Sequence, residues 1–580
     1  MGANPLRRRR PAAAQEAVQR DDGEARLWHL GTALAVSFTV AVVGLAGLAW
    51  LAWVLLGLAG YRHHGAPALK DTVSVLQLVF ATVAGAGALV ALIVAYRRQK
   101  ITEADSAHDR TRVFNERFTA IAAQLGDAQP AVRLAGVHAM AGLADDWKQN
   151  RQTCIDVLCA YLRLPGDLDP GEDATPADRT AYRASLEVRH TIIRLVGAHL
   201  RPGSAVSWQG LNFDFTGVVF DNGDFADARF SGGLVGFRDA VFSGGEVSFR
   251  GAVFSGGQVD FRDARFCGGT VRFDRAEFSG GEVCFGNAQF SDGTISFVGA
   301  VFSGSQVDFV DAAFSGGEVS FGATFSGGLV RFRDATFSGG RVTFGAADFY
   351  GDVFSFGQVS FDRARFSGGE VYFGNAQFSG GLVGFRDAKF SGGTVDFRDA
   401  TFSDGKVDFY DASFYSSMVG FTGAKFCGGL VDFTHAGYLG GELGCGRVTF
   451  DRAEFSSGRV RFDRAGFYGG QVDFRDAVFS GGEVGFGEAR FSGGEVRFGN
   501  AEFSGGTVGF DRAVFSGGQV RFRGAVFSGG EVDFRDASFY SSMVDFTGAV
   551  FSGGTIRWDG KPPPGVVVPV QPPEETRGEL

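Results

Sequence analysis

Along the chain the apolar positions change rhythm twice, and each regime predicts a different kind of element. The first regime is continuous. Positions 30–60 carry no charged residue over 31 positions, and 72–96 carry none over 25. About 20 apolar residues cross the hydrocarbon core as a helix, so 30–96 predicts a transmembrane hairpin with helices at about 31–55 and 72–96. Trp28, Trp50, Trp53 and Tyr96 lie near the ends, where amphipathic rings favour the interface. A cleaved signal peptide has an apolar core of only about 7–15 residues, shorter than either stretch. Arg7, Arg8, Arg9, Arg10, Arg20 and Arg26 precede the hairpin, Arg97, Arg98 and Lys100 follow it, and the loop between holds only Arg62 and Lys70. The positive-inside bias puts both termini in the cytoplasm and the His63–His64 loop outside. Residues 1–29 read as a basic, disordered leader. The expected location is a bacterial plasma membrane, with the chain integral to it.

From 101 the apolar positions recur at helical spacing, predicting a helical collar over 101–203. Phe114, Phe118, Ile121, Ala122 and Leu125 form one stripe, closed by Gly126. Pro130 suits a first helical turn, and Val132, Leu134, Val137, Met140 and Leu143 continue on a new helix. A third is expected at about 151–164, and a fourth at about 176–200, stopped by Pro202 and Gly203.

The last regime, 205–558, alternates steps of seven and five: Phe242, Phe249, Phe254, Phe261, Phe266. A small apolar residue stands two before each ring, as Val247 before Phe249 and Ala252 before Phe254. This pair shares one face of a short extended segment. Two steps lengthen from 12 to 17, Phe344 to Phe361 and Phe433 to Phe450. Phe349 and Phe354 mark the first addition; Tyr438 and Leu443 mark the second. Insertions in fives make a five-residue side the expected unit, with the Gly-Gly pairs as additions to alternate sides. Gly at those bends would supply positive φ.

The [Ala/Val]-x-Phe pattern on a five-residue step resembles the pentapeptide-repeat family, and the segment Arg-Gln-Thr-Cys-Ile-Asp-Val-Leu-Cys-Ala-Tyr-Leu-Arg at 151–163 is similar to the one preceding repeats in membrane-anchored actinobacterial members. The resemblance implies a mainly β fold, a right-handed quadrilateral parallel β-helix, with the ring and the small residue pointing inward. The alternating seven enlarges the coil to about 24 residues, and a 12-residue coil would leave little room for two facing rings. At ~4.8 Å per strand, some thirteen coils make a rod of roughly 65 Å. The helices with Trp208, Leu211 and Phe213 should cover its first end, and Trp558 with the prolines of 562–564 should stop the ladder. Residues 559–580 read as a Pro-rich disordered tail.

Composition sharpens this picture. With 89 Gly, 62 Phe and 14 Pro, the chain is too poor in Pro for collagen, and at 45% hydrophobic and 14% aromatic it is too apolar for disorder. A net charge of −10 argues against a nucleic-acid coat, and no nucleic-acid partner is expected. Candidate chemistry is sparse. Cys154 and Cys159 read as small core residues, Cys267, Cys284, Cys427 and Cys445 as spectators. His138, His190 and His199 lack enough neighbouring ligands for a metal, even with Glu187 beside His190. Gly441-Glu-Leu-Gly-Cys-Gly446 lies in no βαβ context, so no phosphate loop is read from it. No catalytic, cofactor-binding or metal residue is expected, and no cofactor.

The reading that follows is a non-enzymatic, membrane-tethered scaffold presenting its rod to an unidentified protein partner in the cytoplasm. One alternative is a rod that mimics duplex DNA and binds a type II topoisomerase, as some members of the family do; the interspersed Arg residues oppose it. The other makes the hairpin a sensor or transport component, which the lack of ionisable residues within the spans opposes.

Overall fold

The computed structural model describes residues 69–165, 170–171, 173–326, 328–350, 358–441, 444–540 and 543–559, with scattered positions between 39 and 54. The leader, most of the first expected span, the His63–His64 loop and the tail beyond Asp559 lie outside the described residues. The chain divides into a unit of residues 1–116 and a unit of residues 117–580.

The expected hairpin is not part of the observed fold. Residues 72–96 belong to one helix, α1 (Leu69–Leu125), which runs 57 residues. Nothing at 97–107 stops a helix, since that stretch contains neither Gly nor Pro. The apolar segment therefore passes without a break into polar sequence. Among the described residues, no helix is long and apolar enough to cross a membrane.

In the second unit, α1 ends at Leu125, before Gly126, and three helices follow: α2 (Pro130–Asp146), α3 (Arg151–Arg163) and α4 (Pro176–Leu200). Pro130 and Pro176 stand in first turns, where no backbone N–H is needed. Thr175 caps α4 by accepting the Asp178 N–H at 3.2 Å. Val137, Met140, Cys154, Leu158, Ile192 and Val196 form the shared core.

The β-helix repeats every 24 residues. In one coil, strand Gln258–Asp260 leads through a turn at 261–264 into strand Arg265–Arg272, which bends at Gly268 and Gly269. A second turn at 273–276 precedes Glu277–Phe278, and a second Gly-Gly bend returns the chain to Glu282–Cys284. That last strand pairs in parallel with the first, Gln258 opposite Glu282. The other sides keep the same offset: Arg265 opposite Gln289, Thr270 opposite Thr294, and Glu277 opposite Val301. Four parallel ladders result, over about 14 coils, with the 24-residue coil in place of the smaller rival.

Among the described residues, the inward rings of the β-helix fall into four columns. Phe261 stacks on Phe237 at 4.6 Å and on Phe285 at 4.7 Å; Phe266, Phe273 and Phe278 stack likewise on rings 24 residues away. Two columns also meet across the middle, as Phe261 and Phe273 do edge to face at 85°. Offset stacks and edge-to-face pairs are the favoured aromatic geometries, worth about 0.5–1.5 kcal/mol each beyond burial. Val259 and Ala264, the small partners, are buried with the rings.

The corners are of two kinds, and only one was legible as such. At the Gly-Gly bends successive coils nearly touch. A Cβ on Gly269, whose φ is +71°, would lie 2.5 Å from the Gly244 carbonyl carbon. The other corner is a four-residue turn closed by the ring residue's carbonyl, as Ala264 N–H to Phe261 O at 3.1 Å. Its third residue is left-handed and in most coils is not Gly: Asp263 at φ 60°, Arg275 at 58°, Asn287 at 58°, against Gly251 at 66°. Asp and Asn tolerate that region better than most residues.

The insertions do not add sides. Phe349 still stacks on Phe325 and Phe378, and Gln358 still pairs with Leu329, so the first addition sits at a Gly-Gly bend, within 351–357, outside the described residues together with Phe354. In the second, Tyr438 takes a ring position between Phe414 and Phe467, and Gly437–Gly441 pairs antiparallel with Gly444–Cys445 as a small hairpin at the bend. Leu443 lies outside the described residues. Four columns of rings must each be refilled in every coil, whereas a bend on the outside can lengthen freely. The one shortened step tightens a turn instead: Ala323 N–H reaches Phe321 O at 2.7 Å.

Candidate interaction surface

Because the columns fix the register, outward residues are also ordered in rows, one rung per coil. The rows carry ion pairs between rungs. Arg341 meets Glu370 at 2.8 Å, Arg459 meets Glu483 at 3.1 Å, and Arg464 meets Glu488 at 2.9 Å. Exposed pairs of this kind are each worth about 0–1 kcal/mol, so the rows define a pattern more than a source of stability. Some carboxylates are nevertheless shifted. The hydrogen bond from Arg363 holds the Asp334 carboxyl below its ordinary range, and that from Arg464 does the same for Glu488. Burial pushes Asp396 and Asp463 upward. Asp408 is 2% exposed and is met by Arg386 at 2.8 Å and Lys406 at 3.0 Å; Lys406 also reaches Asp432 at 3.2 Å.

Over the Gly-Gly bends, where side chains are absent, the surface sinks into shallow troughs. One of about 610 Å³ is lined by Gly317, Gly340, Gly369 and Gly393 with Glu318, Arg341, Glu370 and Thr394 on its rim. Another of about 600 Å³ lies on the other row of bends, along Gly429, Gly458 and Gly482 with Arg459 and Glu483. Such a trough offers backbone and alternating charge to an extended partner, with no nucleophile poised beside a base.

Among the described residues, the candidate Cys and His side chains do not gather into a catalytic grouping. Cys154 and Cys159 are fully buried, and burial pushes their thiols up to about 11 and about 12, so both stay protonated and inert. Cys284 is likewise pushed up to about 12 by burial. Cys267 stands where other coils have Ser, its thiol donating to Phe242 O at 3.7 Å as Ser291 does to Phe266 O at 3.5 Å. Cys427 is exposed. Glu187 pairs with Arg194 at 2.6 Å rather than with His190, which meets Asp221 at 2.8 Å. His138 is exposed on α2. Among the described residues, no three His, Cys, Asp or Glu side chains gather as a metal site.

Sequence reasoning missed the hub that joins the helices to the first coil. Trp208 is fully buried, stacks on His199 at 4.1 Å, and donates its indole N–H to Asp145 at 2.8 Å. His199 meets the same carboxylate at 3.1 Å, and Arg151 donates to the Ala144 carbonyl at 2.9 Å. Arg201 adds bonds to Ala226 O and Asp224. A Cβ on Gly197 would collide with the Asp224 carbonyl, so α4 docks there only because that residue is Gly. A glycine in the last turn of a good helix was the available signal.

Residues 215–265 match a family model described as pentapeptide repeats (9 copies). Those residues carry pentapeptide repeats. The matched coils and those after 265 share the same four columns, and the β-helix continues to Trp558, which stacks on Phe534 at 4.5 Å as the last ring of its column. No curated protein and no solved structure matches the chain.

Proposed function

We propose that this protein is a non-enzymatic scaffold whose β-helix is read by a protein partner. The observation that supports this reading is the register-locked surface: troughs floored by glycine and edged by one rung per coil, with opposite charges on successive rungs at Glu318, Arg341 and Glu370. An extended segment laid along that trough meets a new rung at every ~4.8 Å step, Glu318, Arg341, Glu370 and Thr394 in turn. The scaffold is tethered to the bacterial plasma membrane, both termini cytoplasmic. That part of the proposal rests on the uncharged stretches 30–60 and 72–96 and on the arginines that flank them.

Photo-crosslinking from Thr394, on the rim of one trough, tests the first part in living cells with the full chain. The proposal expects a protein adduct that is lost when Glu370 and Arg341 exchange places. Absence of any trough-dependent adduct contradicts it. Extraction of the full chain at high pH tests the second: a tethered chain stays with the membrane pellet, and release into the supernatant rules out an integral anchor.

A further inference from the structure

Where α1, α2, α3 and α4 converge, a cavity of about 230 Å³ opens beside Leu125, away from the hub and from the β-helix rows. Its volume equals the room of about seven or eight waters, enough for a small molecule and too little for a peptide. Two of the polar groups that line it, on α2 and α4, have no hydrogen-bond partner among the described residues. Arg133 Nε, from the first turns of α2, is shielded from solvent and meets no acceptor among the described residues. Ser185 on α4 is 8% exposed, lines the same cavity, and makes no side-chain hydrogen bond among the described residues. Tyr161 on α3 adds a further wall.

A buried guanidinium nitrogen without an acceptor is costly unless something fills the place. The remaining charged groups at the cavity are Arg189 and Asp127. Arg189 already closes the end of α3, donating to Leu162 O at 2.8 Å, and brings a second positive charge. Asp127 is turned to its own chain, accepting the Gln129 N–H at 2.7 Å. The balance at the wall is thus one positive charge in excess, with a guanidinium fork and two hydroxyls available. Guanidinium and hydroxyl donors together match the several oxygens of a phosphate better than the two of a carboxylate.

We propose that this cavity binds the phosphate monoester group of a small molecule, held by Arg133, Ser185 and Tyr161. Ligand here ties four helices together at one point, so occupancy stiffens the helical part of the unit.

Calorimetric titration of the full chain in chloride buffer, with inorganic phosphate, glycerol 3-phosphate and acetate as probes, tests the assignment. Saturable binding of glycerol 3-phosphate is expected, with acetate weaker; Arg133→Met abolishes it, and Ser185→Ala weakens it about tenfold. Ser185→Ala removes one oxygen from a helix and should melt as the parent does, which keeps the test informative if Arg133→Met misfolds. Vesicles containing phosphatidic acid provide a separate arm. Binding confined to them assigns the monoester to a lipid headgroup, and binding in solution assigns it to a soluble metabolite; either result supports the site. Acetate binding as tightly as the phosphates, no saturable binding in any arm, or binding unchanged in both variants would overturn it.

Discussion

The helices of residues 117–200 and the β-helix that follows solve the same burial problem in opposite ways. The helical core is irregular: Met140, Cys154, Leu158, Ile192 and Val196 each fill a space found once. The β-helix core is one ring repeated, with the same neighbours at the same distances in coil after coil, 4.7 Å from Phe409 to Phe385 and 4.6 Å from Phe409 to Phe433. A unique core must be specified residue by residue. A repeated one needs only its period, and its energy is a sum of nearest-neighbour interfaces. The difference teaches where each part tolerates change: outside the columns for the β-helix, almost nowhere for the helices.

The largest effect should come from emptying one place in a column. Phe421→Ala removes a ring that touches Phe397 and Phe450 at 4.8 Å and is expected to cost about 3–5 kcal/mol. Hydrogen exchange should show faster opening confined to the coils around it, whereas Leu158→Ala, at about 2–5 kcal/mol, should loosen all of the helices together. Uniform loosening in both variants would erase the contrast.

The two kinds of close approach at the bends separate next. Gly269→Ala meets both a left-handed φ and the backbone of the coil before it, and should cost more than Gly493→Ala. The latter has φ +84° but nothing within 4 Å of a new Cβ, leaving only the conformational strain of about 1–2 kcal/mol. Chemical denaturation of the two variants measures the gap, and equal losses would show that stacked backbones are not in contact there.

Tyr438→Phe works in the opposite direction. The Tyr438 hydroxyl is fully buried among rings with no hydrogen-bond partner among the described residues. Its removal should stabilise the β-helix by about 1–2 kcal/mol, read as a raised melting temperature; a lowered one would place an acceptor beside the hydroxyl.

The smallest effect is electrostatic. Asp334 is held below its ordinary range by its hydrogen bond from Arg363, so its contribution is present above the unfolded carboxylate range and is lost as pH falls through the lower, folded value. Asp334→Asn should therefore melt below the parent at neutral pH and converge with it in acid. A gap that widens in acid would contradict the assignment.

What the sequence made legible follows the same division. The columns, the 24-residue coil and the inward Val and Ala could be read because each is stated over and over, so single departures such as Tyr438 do no harm. The start of α2 and both bounds of α4 were readable from Pro130, Pro176 and Pro202. Three things were not. A spacing of five did not tell a new side from a lengthened bend, as the pairing of Gly437–Gly441 with Gly444–Cys445 shows. The left-handed turn position hid among Asp263, Arg275 and Asn287, which share no side-chain chemistry. The hub brings Asp145 to His199 and Trp208, 54 and 63 positions further on, and no local pattern announces it.

The account stands on the 24-residue register, and an engineered disulfide reads it most directly. Glu483 and Thr507 are direct neighbours on adjacent parallel strands, close to the separation a disulfide spans, about 4.4–6.8 Å between Cα atoms. The full chain carrying Glu483→Cys with Thr507→Cys should form that bond readily on mild oxidation, while Glu483→Cys with Glu495→Cys, 12 residues apart on different ladders, should not. Ready bonding of the second pair in place of the first would mean a 12-residue coil, and the four columns of rings could not exist.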